Sequence, residues 1–269
     1  MYLLLLFICS AICFSQNEVF IEAWDYNLWI YYSFESQSEI VINNPENSLD
    51  WDIAFKRNHI KTNASPSGIG NAGGYVDESQ VWDEELWNSI NINPFELNFQ
   101  TDQEVQGGSI PLNGCYCKDT DQIGCENQQS QLTYPFIDCI KNPALDQWGH
   151  FIHGGGTDNY PFIIDNHILI IKTSNESFFQ FWPTDYYGPN CPGNGGGCIT
   201  FKYKEICSLE IGDVNKDNQI NVADITLSVE YILNNLDLDE CQIIASDINE
   251  DGMTTVVDII NMVITRILP

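Results

Sequence analysis

The chain contains the stretch Asp213-Val214-Asn215-Lys216-Asp217-Asn218-Gln219 and, 34 residues further on, the similar stretch Asp247-Ile248-Asn249-Glu250-Asp251-Gly252-Met253. Counting the first Asp of each stretch as position 1, position 12 is again an Asp, at Asp224 and at Asp258. Oxygen-bearing side chains at positions 1, 3, 5 and 12, with a backbone carbonyl at position 7, match the oxygen ligands of a calcium ion. The repeat therefore predicts two calcium-binding loops.

Apolar residues with helical spacing follow each loop. They are Ile225, Val229, Ile232 and Leu233 after the first loop, and Ile259, Val263 and Ile267 after the second. Steps of three or four residues place them on one face of a helix. No clear helix pattern precedes either loop, so each repeat is predicted to be half of an EF-hand. Asn218 stands where such loops usually have glycine, and Asn tolerates the left-handed conformation well.

This duplicated loop and helix, over about residues 209–269, resembles a type I dockerin. The resemblance implies a small all-α module whose partner is a cohesin-like module on a scaffold or cell surface. The positions that select the cohesin in dockerins correspond to Val222-Ala223 and Val256-Val257 of this chain. An alternative is that the loops only stabilise a small domain and bind no partner. The implied calcium ligands are the side chains of Asp213, Asn215, Asp217 and Asp224 with the Gln219 carbonyl, and those of Asp247, Asn249, Asp251 and Asp258 with the Met253 carbonyl.

The composition limits the possible partners. The chain of 269 residues has 38 acidic and 10 basic residues, which gives a net charge of −28. Such a surface repels nucleic acids and anionic membranes, so neither is expected as a partner. With 43% hydrophobic residues the chain can form a real core.

The N-terminal residues 1–15 have the pattern of a secretory signal peptide, with an apolar run from Leu3 to Phe14. We therefore expect a secreted protein, extracellular or at the cell surface, with lipidation at Cys13 as the second option. No later segment is long and apolar enough to span a membrane. The predicted domains are a β domain over residues 16–208 and the dockerin-like module over residues 209–269.

Eight cysteines remain after the signal, an even number that predicts disulfides in an exported chain. Cys207 and Cys241 each precede a calcium loop and are predicted to pair. Cys191 and Cys198 flank a glycine-rich loop that a local bridge would restrain. The other four cysteines can pair in three ways, and the sequence does not choose among them. They are Cys115, Cys117, Cys125 and Cys139.

Residues 16–208 have the patterns of a mainly β, antiparallel domain. The stretches 51–56 and 199–204 alternate large apolar residues with small or polar ones, as half-buried strands do. The stretches 28–34 and 168–171 are more continuously apolar, as in strands covered on both faces. The segment 83–147 is expected to form disulfide-linked loops.

Several stretches, in the same order, resemble the HmuY-like family of secreted haem-binding proteins. They are Trp29 to Glu35, Trp51 to Arg57, Ile60 to Asn63, the Ser67-Gly68 turn, Ile168 to Lys172, and Gly197 to Tyr203. The resemblance implies an antiparallel β fold whose loops hold haem, with two axial histidines on the iron. His153, in Phe151-Ile152-His153-Gly154, matches one of these ligands. His150 lies three residues before His153. There are two alternatives to haem binding by these histidines: they are an exposed pair in a loop, or they bind zinc or copper.

No motif of a known catalytic class is present in the sequence, which favours a non-catalytic binding protein. A glycoside hydrolase is one alternative, with acidic residues such as Asp83-Glu84-Glu85 as candidates for its carboxylate pair. A carbohydrate-binding module is another. Its sugar-stacking candidates are Trp24, Trp29, Trp82, Trp87, Trp148 and Trp182.

Overall fold

The computed structural model describes residues 17–90, 92–105, 115–116, 136–152, 161–188, 191–192, 196–207, 210–217 and 219–268. Contacts within the chain divide it into a β-rich unit over residues 17–205 and a helical unit that begins at residue 206. The predicted signal peptide lies outside the described residues. So does the predicted domain boundary at residues 208 and 209, which stays a prediction.

The β-rich unit consists mainly of short strands. They are β1 (Asn17–Glu22), β2 (Ile30–Ser33), β3 (Ser38–Ile40), β4 (Ile53–Lys56), β5 (His59–Thr62), β6 (Gly73–Val81), β7 (Gln103–Val105), β8 (Cys115–Tyr116), β9 (Phe136–Ile137), β10 (Cys139–Lys141), β11 (Gly149–Phe151), β12 (Phe162–Ile164), β13 (His167–Lys172), β14 (Phe178–Asp185) and β15 (Cys198–Ile206). The four stretches predicted as strands correspond to β4, β15, β2 and β13. The prediction of a mainly β fold is confirmed.

Within the described residues, the strands form two larger sheets and three two-stranded ones. The larger sheets have the orders β1-β15-β14-β13-β6 and β3-β2-β4-β5. The small sheets pair β10 with β7, β11 with β12, and β8 with β9. The registered strand pairs are antiparallel, for example β1 with β15 and β4 with β5. The chain termini of this unit therefore meet as neighbouring strands of one sheet.

The core of this unit lies between the two larger sheets. Alternate residues of β15, such as Phe201, face it, and so does Phe55 of β4. These two rings stack at 5.3 Å between centroids. Phe34 and Phe179 stack across the same interface at 4.3 Å. Aromatic side chains bury a large apolar area each, so they supply much of the stability of this core.

One helix in this unit was not predicted. Helix α1 spans Glu84–Ser89 in the segment expected to be loops. The Asp83 carboxylate accepts a hydrogen bond from the Leu86 amide and caps the helix N-terminus. Much of the rest of that segment lies outside the described residues.

The helical unit contains α2 (Val222–Ile232), α3 (Glu240–Ser246) and α4 (Val256–Met262), followed by a π-helical turn at Val263–Ile267. Helices α2 and α4 follow the two loops as predicted. The expectation that no helix precedes the second loop is wrong, because α3 ends immediately before Asp247. Asp239 begins α3 with a capping box, in which its carboxylate and the Gln242 side chain bind each other's backbone amides.

Two predicted disulfides are confirmed. Cys207 is bonded to Cys241 and Cys191 to Cys198, with Cα–Cα distances of 5.0 Å and 5.5 Å. Cys139 is also in a disulfide, and the choice of its partner, left open by the sequence, stays open. No described helix combines the length and the apolar character that crossing a membrane requires.

Candidate functional sites

The first acidic loop is held together by its own side chains. The Asp213 carboxylate accepts a hydrogen bond from the Asp217 amide at 3.1 Å, and the Asp217 carboxylate accepts from the Gln219 amide at 2.8 Å. The Asp224 carboxylate accepts from the Asn215 amide at 3.0 Å, so the last loop residue reaches back to the third. Five predicted ligand residues of this loop thus lie in one hydrogen-bonded turn.

The second loop repeats these hydrogen bonds 34 residues later. The Asp251 amide donates to Asp247 at 3.2 Å, and the Met253 amide donates to Asp251 at 3.0 Å. The Asn249 amide donates to Asp258 at 3.2 Å. The two loops therefore share a hydrogen-bonding pattern as well as a sequence pattern, which random similarity of two acidic stretches would not produce.

The backbone of the loops is also alike. Position 4 is left-handed in both, with φ of 63° at Lys216 and 55° at Glu250. Position 6 of the second loop, Gly252, has a φ of 85°. Glycine reaches this conformation without strain because it has no Cβ atom. Asn218, the corresponding residue of the first loop, lies outside the described residues.

The last Asp of each loop belongs also to a helix. Asn221 caps α2 and Thr255 caps α4, and in both cases the Asp at the third helical position completes a capping box. Asp224 and Asp258 are fully buried there. The same carboxylate therefore joins loop and helix, so that loop geometry and helix formation depend on each other.

The donor chemistry of the loops fits a hard divalent cation. Asp213 and Asp247 are buried, with 2% and 9% of their surface exposed, and each loop contains a second, fully buried carboxylate. Burying a charge is costly without a counter-charge. In the described part of this unit, the ion pairs join Lys216 to Asp239 and Arg266 to Glu210, and neither includes Asp224 or Asp258.

Among the described residues, no three His, Cys, Asp or Glu side chains are grouped closely enough to hold a metal ion by themselves. Calcium loops also take ligands from Asn side chains and backbone carbonyls, and both loops contain such groups. In the structure the loop carboxylates accept hydrogen bonds from loop amides, for example Asp213 from Asp217 and Asp247 from Asp251.

The β11–β12 hairpin contains an oriented histidine. His150 on β11 pairs in register with Ile163 on β12. Its Nδ1 lies 2.9 Å from Oδ2 of Asp165, and 58% of its side chain is exposed. A proton on Nδ1 bound to this carboxylate leaves Nε2 as the acceptor, which is the arrangement of many metal-binding histidines. Asp165 was not predicted from the sequence, and the predicted ligand His153 lies outside the described residues.

Aromatic side chains pack under this hairpin. The Phe162 ring lies 4.5 Å from Trp148, 5.0 Å from Phe151 and 4.5 Å from Tyr186, measured between centroids. The Tyr186 hydroxyl is buried and has no hydrogen-bond partner among the described residues. Burial raises the pKa of Tyr186, so the phenol stays protonated at neutral pH. The hairpin thus has a rigid aromatic base.

The outer side of the hairpin is apolar. Ile152 is 46% exposed, Ile163 is 40% exposed and Tyr187 is 46% exposed. The Tyr187 hydroxyl accepts a hydrogen bond from the Phe162 amide at 2.7 Å, which ties this ring to the hairpin. An exposed apolar surface beside an oriented imidazole suits a flat apolar ligand that contains a metal ion, since the surface can contact the ligand and the imidazole nitrogen can bind its metal.

Two other histidines have structural partners. His59 is buried, and its Nδ1 lies 3.0 Å from Asp146, which also binds Lys141. Burial lowers the pKa of His59, while His59 and Lys141 hold the pKa of Asp146 below its usual value against the effect of burial. The His167 ring contacts the Gln147 carbonyl at 3.0 Å. We assign no ligand role to either histidine.

Most of the residues suggested for polysaccharide chemistry have other roles, whereas Trp24 is 40% exposed. Trp82, Trp87, Trp148 and Trp182 are buried, so they offer no face to a sugar. Lys56 and Lys61 lie over the Trp29 ring at 5.0 Å and 4.6 Å. Of the acidic group at residues 83–85, Asp83 caps α1 and Glu84 pairs with Lys202.

Comparison with protein families gives two matches. The HmuY protein family model matches residues 25–203, and the model of the dockerin type I domain matches residues 211–268. The two matched regions follow one another and together include all the loops and hairpins described above. No curated protein matches the chain.

Solved structures resemble the β-rich part of the chain at low identity. One, from Bacteroides vulgatus, is described as a putative HmuY-like haem-binding protein; it has a TM-score of 0.48 and 17% identity, over 70% of this chain and 91% of that one. The apo HmuY analogue of Tannerella forsythia has a TM-score of 0.47 and 12% identity, over 71% and 95%. Apo PinO from Porphyromonas gingivitis has a TM-score of 0.46 and 16% identity, over 71% and 97%.

Proposed function

Because the chain belongs to the HmuY family and carries a type I dockerin domain, we propose that it is a secreted, non-catalytic haem-binding protein. We propose further that a calcium-dependent dockerin attaches it to an extracellular scaffold or to the cell surface through a cohesin-like module. The β-rich unit binds the ligand, and the helical unit binds the partner. Disulfides in both units support an oxidising, extracellular location.

The observation that carries haem binding is the β11–β12 hairpin. It combines an imidazole oriented by Asp165, an aromatic base and an exposed apolar side. These features suit haem, whose macrocycle needs apolar contacts and whose iron takes nitrogen ligands. His153 and His150 are the residues that would offer nitrogen to the iron, and the apolar side chains of the hairpin would contact the macrocycle. Bound haem would supply an iron that is stored or passed on, without a reaction at the protein.

The observation that carries calcium binding is the repeated hydrogen-bonding pattern of the two acidic loops. The fully buried carboxylates at position 12, Asp224 and Asp258, gain a counter-charge when a calcium ion binds in each loop. The ten residues named in the sequence analysis are the proposed ligands. Each loop with its following helix then acts as a half EF-hand. Since the last ligand of each loop also caps a helix, metal binding and folding are coupled.

The haem proposal is tested by titrating the full chain with haem and following the Soret absorbance. We expect a saturable shift at one equivalent. His153→Ala weakens it if the family resemblance gives the right ligand, and His150→Ala weakens it if the imidazole held by Asp165 coordinates the iron. His167→Ala is the matched control, because this ring is bound to the Gln147 carbonyl and is not a proposed ligand. Absence of a saturable shift in the unmodified chain would exclude the haem function.

The two alternatives in polysaccharide degradation have less support. They depend on the dockerin alone, since most of the candidate tryptophans are buried and Asp83 and Glu84 have structural partners. Release of reducing sugars from polysaccharides would support a hydrolase. Retention on insoluble glycans without such release would support a carbohydrate-binding module.

A further inference from the structure

Two lysines lie side by side on the outer face of the sheet β3-β2-β4-β5. Phe55 of β4 faces the core, so its neighbours in the strand, Ala54 and Lys56, point to the opposite face. Lys61 of β5 lies on that outer face too, because it pairs in register with Ala54. The ammonium groups of Lys56 and Lys61 lie 5.0 Å and 4.6 Å from the centroid of the same Trp29 ring. Two cations are therefore gathered around one aromatic side chain.

Neither lysine has a carboxylate partner in the part of the chain that the structure describes. The ion pairs found there include neither Lys56 nor Lys61. Asp102 and Glu46 act on the charge of Lys61 from a larger distance. The Asp102 carboxylate is already bound to the amide and the hydroxyl of Thr62, at 3.0 Å and 2.8 Å. Two neighbouring cations without an ion pair are unexpected in a chain with 38 acidic and 10 basic residues.

Most hydrogen-bond donors of this cluster are unused. An ammonium group has three N–H donors. The Lys61 ammonium donates to the Tyr31 hydroxyl at 3.3 Å, and the Lys56 ammonium donates to no atom of the described residues. Because the Tyr31 oxygen accepts that bond, its own proton is available for donation. Burial raises the pKa of Tyr31 to about 12, with a smaller effect of Glu46, so the proton is present at neutral pH.

The cluster is sheltered on one side and open on the other. Lys61 is 8% exposed, whereas Lys56, Trp29 and Tyr31 are partly buried. A small ion can therefore reach the cluster beside Lys56 and approach the sheltered Lys61 ammonium. Attraction between opposite charges is stronger where water is excluded. The Trp29 ring offsets only part of the cost of burying the cations, and a bound anion would offset more of it.

We propose that Lys56, Lys61 and the Tyr31 hydroxyl form a binding site for a small oxyanion, a phosphate or carboxylate group. The oxygens of such a group accept hydrogen bonds from ammonium and hydroxyl donors, and charge makes the bonds to ammonium strong. The site includes none of the residues proposed as haem or calcium ligands. Its test is therefore independent of both of those functions.

The test adds sulfate or succinate to the full chain with calcium and follows the lysine side-chain signals by NMR. Sulfate stands in for a phosphate group and succinate for a carboxylate, because phosphate and citrate would withdraw calcium from solution. Lys56→Met and Lys61→Met assign the two signals. We expect at least one of the two oxyanions to move both signals saturably, and chloride at the same ionic strength to leave them in place. With the effective anion at saturation, Lys61 should titrate at least about one pH unit higher, since a bound anion favours the charged amine.

Matched variants locate the effect at the lysine pair. Lys56→Met should raise the dissociation constant of the oxyanion at least about tenfold, because it removes a charged donor. Lys56→Arg keeps the charge and should retain most of the affinity. The control is Lys172→Met, since Lys172 already has Glu176 as its partner, and we expect a change of less than about twofold. An unchanged tryptophan melting transition establishes that each variant folds.

Three results would overturn the proposal. Equal movement of the lysine signals in chloride at the same ionic strength would show that the anions only screen charge. An equal loss of affinity in Lys172→Met would mean that the number of positive charges matters and the lysine pair does not. Signals that fail to saturate with either sulfate or succinate would show that no oxyanion site exists there.

Discussion

Lys61 is a buried cation in an aromatic environment. It is 8% exposed, and its ammonium lies 4.6 Å from the Trp29 ring, 5.1 Å from Tyr31 and 5.4 Å from Trp51. The ammonium also donates to the Tyr31 hydroxyl at 3.3 Å. Ring faces attract a cation, which offsets part of the cost of removing it from water. Burial nevertheless lowers the pKa of Lys61 to about 8.

This environment predicts a pH dependence of stability. In the folded chain Lys61 loses its proton near pH 8, whereas in the unfolded chain it keeps the proton up to about pH 10.4. The unfolded state binds more protons between these values, so the free energy of unfolding rises with pH there. The rise should be less than about 3 kcal/mol, because the three rings favour the charged form.

The measurement is lysine side-chain NMR on the full chain, with Lys61→Met to assign the signal. We expect one Lys resonance to titrate near pH 8 and to disappear in the variant. Denaturant unfolding of the variant should lose the rise in stability between pH 8 and 10. A Lys61 signal that titrates near 10.4 would show that aromatic contacts cancel the effect of burial.

At the scale of single residues, the sequence predicted the acidic loops better than the haem region. Ligand spacing within a loop is local, so Asp213 to Asp224 could be identified from sequence alone. Asp165 follows the end of β12, whereas His150 lies on β11, and no local pattern joins them. Their contact depends on the register of the hairpin, in which His150 faces Ile163. Contacts of this kind require the fold.

At the scale of elements, the Cys207–Cys241 disulfide is placed by the repeat itself. The two cysteines are 34 residues apart, which equals the offset of the two acidic loops. Each lies six residues before the first Asp of its loop. The bridge therefore joins equivalent positions of the two repeats, and the segment it closes contains the first loop and the whole of α2. Closing that segment restricts the unfolded chain and leaves the second loop outside the ring.

We expect removal of this disulfide to raise the calcium concentration needed for folding. The Cys207→Ser and Cys241→Ser double variant should lose about 3–4 kcal/mol of stability, by the entropy of closing a segment of this length. Calcium titration followed by far-ultraviolet circular dichroism measures the change. The matched control is Cys191→Ser with Cys198→Ser, a bridge in the β-rich unit whose loss should leave the calcium midpoint unchanged. An equal midpoint in both double variants would contradict the coupling.

Helices and strands were predicted to the extent that their apolar residues are periodic. Helices α2 and α4 and strands β4 and β15 have such patterns. Helix α3 was missed because its apolar pattern stops after seven residues, whereas the pattern of α4 continues into the π-helical turn; Asp239 and Gln242 nevertheless give the capping-box signal. The order of strands in the sheets could not be predicted, since β1 pairs with β15 from the other end of the unit.

At the scale of the whole molecule, the two units can be followed separately. The seven tryptophans lie at positions 24, 29, 51, 82, 87, 148 and 182, all in the β-rich unit. Helices α2, α3 and α4 lie in the helical unit. Tryptophan fluorescence therefore reports on the first unit, and helical circular dichroism reports mainly on the second. The core of the helical unit, with Val214, Ala245 and Met262, is small, so we expect this unit to need bound metal for stability.

This separation leads to a prediction for the variant with Asp213→Ala and Asp247→Ala. Each change removes the first ligand of one loop, so neither site can hold calcium and the helical unit should unfold even in excess calcium. The tryptophan melting transition should stay unchanged, because the β-rich unit has its own core. The matched control is Glu230→Ala with Asp237→Ala, which removes two carboxylates of the same unit outside the loops. Helicity that survives the Asp changes, or survives chelation of the unmodified chain, would refute metal-coupled folding. A shift of the tryptophan transition would instead mean that the two units fold together.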